Sequence, residues 1–162
     1  PGRFGAGRTG IPFNGDRSGD NFELLLDHAG FSREDIFITN AVLCNPLKNG
    51  NNRRPTKKET YNCSPFLKNL IELIAPKIIS TIGGVGLEAI NHIFGTRHKL
   101  ADVAASPLPI NEFILFPLYH PSPRVVYTRR TLEQQKKDFR TLMKIVPLSS
   151  HLRLKQSKSQ FN

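Results

Sequence analysis

The sequence predicts an α/β fold, a three-layer αβα sandwich around a mainly parallel central sheet. Short apolar runs rich in β-branched residues alternate along the chain with longer segments whose apolar residues have helical spacing. This alternation is typical of a parallel sheet with helices on both faces. The chain of 162 residues is also long enough to bury a full hydrophobic core within one domain.

Four segments have the apolar spacing of helices: 21–29, 56–76, 85–94 and 131–145. For the first, Asp20 is the predicted N-cap. The second begins at Thr56, which can form a capping box with Glu59. Pro65 lies inside this segment and predicts a kink or a restart of the helix.

Three runs predict buried strands: 35–43, 77–82 and 113–118. Asn40 lies near the end of the first run, Gly83 follows the second, and His120 follows the third. Ligands bind outside the carboxyl ends of the strands in such sheets. We therefore expect these three positions to lie at one functional edge.

The net charge of the chain indicates which kind of molecule it binds. The chain has 23 Lys and Arg residues against 13 Asp and Glu, a net charge of +10. Such an excess favours a polyanion such as DNA or RNA, although an ordinary basic surface is the alternative. Residues 1–147 are predicted to form the domain, and 148–162 a basic, flexible tail. No apolar run approaches the roughly 18 residues of a membrane span.

Three motifs occur in order along the chain: RTGIPFNGD at 8–16, ITNAVLC at 38–44 with Cys63 further on, and YHPSPR at 119–124. Together they resemble the iron–sulfur uracil-DNA glycosylases, the fourth and fifth families of that superfamily. The resemblance covers roughly residues 1–145. It implies the fold of that superfamily and an enzyme that flips uracil out of DNA and hydrolyses its glycosidic bond.

The resemblance implies three residues that bind the flipped base. Phe13 would stack against it, Asn40 would pair with the N3–H and O4 of uracil, and Ser122 would belong to the same pocket. A core aromatic is the alternative for Phe13. For Asn40, the alternative is a residue that only closes a loop.

Two catalytic residues are implied. His120 would donate a hydrogen bond to uracil O2, and Asp16 would orient water or stabilise the sugar cation. Gly15 and Asp16 follow the stacking Phe13, a pattern closer to the fifth family than to the fourth. The alternatives are a loop histidine with its hydrogen bonds satisfied and an Asp16 that merely caps a helix. In the same loop, Pro121, Pro123 and Arg124 would contact DNA.

Cys44 and Cys63 would be two of the four ligands of a structural [4Fe–4S] cluster; the alternative is two free thiols. The family's other two cysteines are absent, so we expect an incomplete N-terminus and no proper cluster in this chain alone. The further expectations are a cytoplasmic, nucleoid-associated monomer of a bacterium or archaeon. Its substrate would be DNA containing uracil or other deaminated bases. The rival function is a truncated, non-catalytic DNA-binding relative.

Overall fold

The computed structural model describes residues 9–44 and 46–146, so the predicted tail lies outside the described residues. The helices are α1 (Arg17–Ala29), α2 (Lys57–Ile74), α3 (Gly84–Phe94), α4 (Leu100–Val103), α5 (Pro123–Thr128) and α6 (Leu132–Ile145). The strands are β1 (Leu47–Lys48), β2 (Asn51–Asn52), β3 (Ile78–Ile82), β4 (Leu108–Ile110) and β5 (Phe113–Leu118). Within the described ranges, no helix is long and apolar enough to cross a membrane.

The central sheet has three strands in the order β3-β5-β4. β3 and β5 are parallel, with Ile82 opposite Leu118 at their carboxyl ends. β4 pairs antiparallel with β5 because only two residues connect them, and parallel strands need a much longer crossover. The sheet is therefore small and mixed, while β1 and β2 form a separate antiparallel ribbon.

Helices cover both faces of this sheet, which confirms the predicted α/β sandwich. Side chains of β5 alternate between the two faces, as the period of a strand requires. Phe116 and Leu118 pack with α1 and α6, whereas Phe113 and Leu115 pack with α3. All four are buried. The central strand thus anchors two hydrophobic cores and fixes the position of the residues that follow it.

The predicted strand over 35–43 is wrong. A 3-10 turn covers Arg33–Asp35, and the segment after it has no regular structure up to residue 44. Ile36 and Ile38 pack against the core beside α1 and α6, whereas Phe37 is 65% exposed. The side chains of this segment therefore alternate between inward and outward positions, as in a strand, but the segment pairs with no described strand. Such a mismatch can arise because β propensity largely measures side-chain packing.

Two helix predictions also need correction. α1 begins four residues earlier than the predicted segment, and its N-cap is Asp16 rather than Asp20. α2 continues through Pro65 without a restart. Pro65 lies on the exposed side of α2, where water can satisfy the carbonyl that loses its helical partner. The capping box of Thr56 and Glu59 is confirmed.

Candidate active site

His120 lies two residues beyond β5, where the parallel pair of strands ends. The backbone N–H of Ser122 donates to its Nδ1 at 3.1 Å, so the proton of the neutral ring is on Nε2. Burial lowers the pKa of His120 below its usual value near 6.5, and the charge of Asp16 opposes this shift. At neutral pH the ring is therefore uncharged and offers an Nε2–H donor.

Gly83 joins the end of β3 to His120. Its N–H donates to the carbonyl of Leu118 at 2.7 Å, and its φ is +88°. A Cβ at this position would lie 3.1 Å from the Cβ of His120. The close approach of backbone to ring and the positive φ both require glycine. The two predicted strand ends therefore do meet at one edge.

Phe13 lies beside His120, with 5.4 Å between the two ring centroids. Its other neighbour is Phe22 of α1, whose ring stacks on it at 4.4 Å. Phe13 is half-buried and packs against the core that includes Phe22. Its ring therefore contacts the core, which is the alternative considered from the sequence, and also lies beside the histidine. Stacking on a base stays a prediction.

Asp16 also combines two roles. Its carboxylate accepts a hydrogen bond from the Gly19 N–H at 2.8 Å and so caps α1. The same charge acts on His120. The structure thus places Phe13 beside His120 and lets the charge of Asp16 act on the same ring, although more than 100 residues separate His120 from the other two.

A hydrogen bond from α1 supports the Pro121-Ser122-Pro123 loop. The side-chain amide of Asn21 donates to the carbonyl of Pro121 at 2.8 Å. The ring of Pro121 is fully buried, and its contact with DNA stays a prediction. Ser122 and Pro123 are half-buried, and Arg124 in the first turn of α5 is exposed.

Asn40 is exposed in the irregular segment that follows Ile38. Its side chain makes no hydrogen bond to another described residue. The amide is thus available to a ligand.

The sequence matches the family model of the uracil DNA glycosylase superfamily over residues 1–144. The chain belongs to this superfamily. It is 32% identical over 142 residues to a type-4 uracil-DNA glycosylase of Sulfurisphaera tokodaii, covering 83% of this chain and 63% of that protein. It is 34% identical over 148 residues to a type-5 enzyme of Pyrobaculum aerophilum, covering 80% and 61%.

A type-5 uracil-DNA glycosylase of Thermus thermophilus is 32% identical over 146 residues, covering 80% of this chain and 64% of that protein. The chain thus spans about three fifths of the length of these curated relatives. Type-4 and type-5 relatives match it at similar identity, so the assignment to the fifth family stays a prediction.

The two cysteines predicted to bind an iron–sulfur cluster, Cys44 and Cys63, are both free. Cys44 is exposed, and Cys63 on α2 is half-buried. Their thiolates have the right chemistry for iron, but a [4Fe–4S] cluster takes four ligands. Among the described residues, no group of three His, Cys, Asp or Glu side chains could hold a metal ion. The donor set is therefore incomplete here.

Sequence reasoning missed several residues of this site. Asn21 supports the Pro121 carbonyl, and Gly19 lies directly against the backbone of Phe13. Neither position has a distinctive local pattern.

Proposed function

We propose that this protein removes uracil from DNA by hydrolysing the bond between the base and deoxyribose, leaving an abasic site. One observation carries the proposal: a neutral His120 with an Nε2–H donor lies beside the Phe13 ring at the ends of the central strands, where the charge of the Asp16 carboxylate also acts on it. Membership of the superfamily and the names of the curated relatives support it.

The chemistry needs a donor and a carboxylate at this place. As the C1′–N1 bond breaks, its electrons leave with uracil and negative charge grows on O2. A preorganised donor such as the Nε2–H of His120 stabilises that charge by about 2.7–4 kcal/mol. Water then bonds to C1′, and its proton passes to the departing base. Asp16 would orient that water and stabilise the positive sugar.

Recognition of uracil would combine stacking and hydrogen bonds. Phe13 would stack on the flipped base, an interaction worth about 1–3 kcal/mol. The amide of Asn40 can accept from N3–H and donate to O4 of uracil. Cytosine reverses this pattern, and an unsatisfied buried pair costs about 1–3 kcal/mol per group. Ser122 would line the same pocket, and hypoxanthine is a second candidate substrate.

The DNA-binding surface would include Pro123 and Arg124. A stiff loop at the surface can press into the minor groove and help to unstack a base step. The exposed guanidinium of Arg124 would bind a phosphate, and the net charge of +10 would attract the duplex. We propose a monomer acting on nucleoid DNA in the cytoplasm of a bacterium or archaeon.

Cys44 and Cys63 would contribute two ligands to a structural [4Fe–4S] cluster, and no catalytic step passes through it. Iron and acid-labile sulfide, measured after anaerobic purification, test this part. Because this chain carries only two of the four thiolates, iron should bind only when an added thiol supplies the others, and Cys44→Ala and Cys63→Ala should each lose the iron bound in this way. Equal iron in the wild type and both variants would contradict it.

A labelled duplex with one uracil tests the activity. Incubation with the purified protein followed by alkali should break the labelled strand at the uracil, whereas the matched thymine duplex should stay intact. Salt-sensitive binding without any break would overturn the proposal and leave the rival function, a DNA-binding module.

A further inference from the structure

We infer that Arg33 is a positioning residue, whose guanidinium holds the loop that presents Phe13 to the base. The inference rests on the proposed function for the role of Phe13 as a stacking surface. The contacts themselves do not depend on that role.

Arg33 uses all three guanidinium nitrogens. Nη2 donates to the carbonyl of Phe13 at 2.8 Å, and Nη1 donates to the preceding carbonyl of Pro12 at 3.0 Å. Nε donates to the carboxylate of Glu23 on α1 at 2.7 Å. The guanidinium carbon also lies 5.9 Å from the ring centroid of Phe22, on which Phe13 stacks. One side chain thus ties the loop to the helix beneath it.

The backbone of Phe13 needs such support. Its φ is +52°, a left-handed conformation that residues with side chains rarely adopt. Such conformations persist only where the surroundings hold them. On α1, a Cβ at Gly19 would lie 2.7 Å from the Phe13 carbonyl oxygen. The peptide of Phe13 is therefore held between Arg33 and the bare backbone of Gly19.

These hydrogen bonds depend on the planar, forked arrangement of the nitrogens in the arginine side chain. Two neighbouring carbonyls accept from two different nitrogens while the third nitrogen is fixed by Glu23. Lysine carries the same charge on one nitrogen and cannot reproduce the fork. We therefore expect Arg33→Lys to behave more like Arg33→Met than like the wild type.

Loss of Arg33 should displace the Phe13 ring and leave His120 in place. Without Arg33, the loop can relax from the left-handed conformation and move the ring away from its place 5.4 Å from His120. Stacking on the base would weaken, whereas the Ser122–His120 hydrogen bond would stay. Arg33 acts through Phe13, so removal of the Phe13 ring should make Arg33 irrelevant to base binding.

The test is a double-mutant cycle in the intact protein, read by inhibition with free uracil. Arg33→Met is expected to raise the inhibition constant about fivefold, the lower end of what base stacking contributes. In the Phe13→Ala background, the same change is expected to have no further effect. Glu23→Gln, which leaves both carbonyl contacts in place, is the matched control with a smaller effect. Equal factors in both backgrounds, or an unchanged constant in Arg33→Met, would overturn the inference.

A second measurement does not require enzymatic activity, so it tests the role of Arg33 independently of the proposed function. The NMR signals of the His120 ring carry the ring-current shift of Phe13. In Arg33→Met and Arg33→Lys, these signals should move toward their positions in Phe13→Ala. Unchanged His120 signals in both folded variants would overturn the role of Arg33, whether or not the wild type releases uracil.

Discussion

A single backbone hydrogen bond determines what His120 can do. Because the Ser122 N–H donates to Nδ1, a protonated ring would lose this bond, since both nitrogens would then be donors. The neutral ring keeps the bond and has a free Nε2–H, which in the proposed reaction would face the oxygen where charge develops. The lowered pKa of His120 keeps this form populated at neutral pH.

The pH dependence of the reaction follows from this shift. The value of kcat/KM should stay level from alkaline pH down to about 6.5, the usual pKa of histidine, and fall only below it. Because the folded pKa is lower than the unfolded one, the contribution to stability is lost as pH falls from about 6.5 toward the folded value. An acid limb at or above pH 6.5 that disappears in His120→Asn would contradict the neutral ring.

Asp16→Asn separates capping from catalysis. Asparagine is as good an N-cap as aspartate, so the free energy of unfolding should change by less than about 0.5 kcal/mol. Loss of the carboxylate should slow uracil release about 100-fold, the lower end of general-base contributions. Thermal melting and single-turnover rates measure the two effects.

Asp20→Asn is the matched control, because Asp20 also lies in the first turn of α1 but is not the N-cap. It should leave the rate of uracil release unchanged. A full rate in Asp16→Asn would show that Asp16 acts only as the cap.

The residues of the site were predictable where a motif carried them. Phe13, Asp16 and His120 come from segments of recognisable sequence, and the structure brings them together. Arg33 was not predictable, because its partners are backbone carbonyls of Pro12 and Phe13 that have no signature in sequence.

At the scale of elements, the junction between β3 and α3 limits the space available to His120. Gly83→Ala would add a Cβ at 3.1 Å from the Cβ of His120, at a backbone φ of +88°. We expect a loss of about 1–3 kcal/mol in stability and a slower reaction, since His120 must move. Chemical denaturation and single-turnover kinetics measure both.

Gly95→Ala provides the control for backbone strain alone. Gly95 ends the same helix with a φ of +69°, and a Cβ there would meet nothing within 4 Å. This variant should lose stability and keep its rate of uracil release at temperatures where it is folded. Equal slowing in both variants would disprove a specific effect on His120.

The elements themselves were predictable to different degrees. β5 follows directly from a short apolar run, and the capped helix α2 follows from its capping box. The strand expected over 35–43 failed because Ile36 and Ile38 are buried by helices and other core residues rather than beside a neighbouring strand. β4 was missed because three residues, Leu108–Ile110, carry too little pattern and depend on pairing with β5.

At the scale of the whole molecule, charge determines how DNA binding responds to salt. The net charge of +10 gives attraction over the whole surface, whereas Arg124 would contact one phosphate. Arg124→Ala should weaken binding and reduce the slope of log K against log salt by about one. Arg97→Ala removes the same charge at an exposed position three residues beyond the carboxyl end of α3.

Fluorescence anisotropy titrations at several salt concentrations measure both slopes. The slope should change less in Arg97→Ala than in Arg124→Ala. Identical slopes in the two variants would show that Arg124 contributes only to overall charge.

Single-turnover release of free uracil from a duplex, measured for the wild type and for His120→Ala under conditions where each protein saturates the DNA, tests the central claim most directly. The wild type should release uracil, and the variant should release it about 100- to 1000-fold more slowly with unchanged DNA affinity. Equal rates, or no uracil from the wild type despite bound DNA, would contradict a catalytic site at His120.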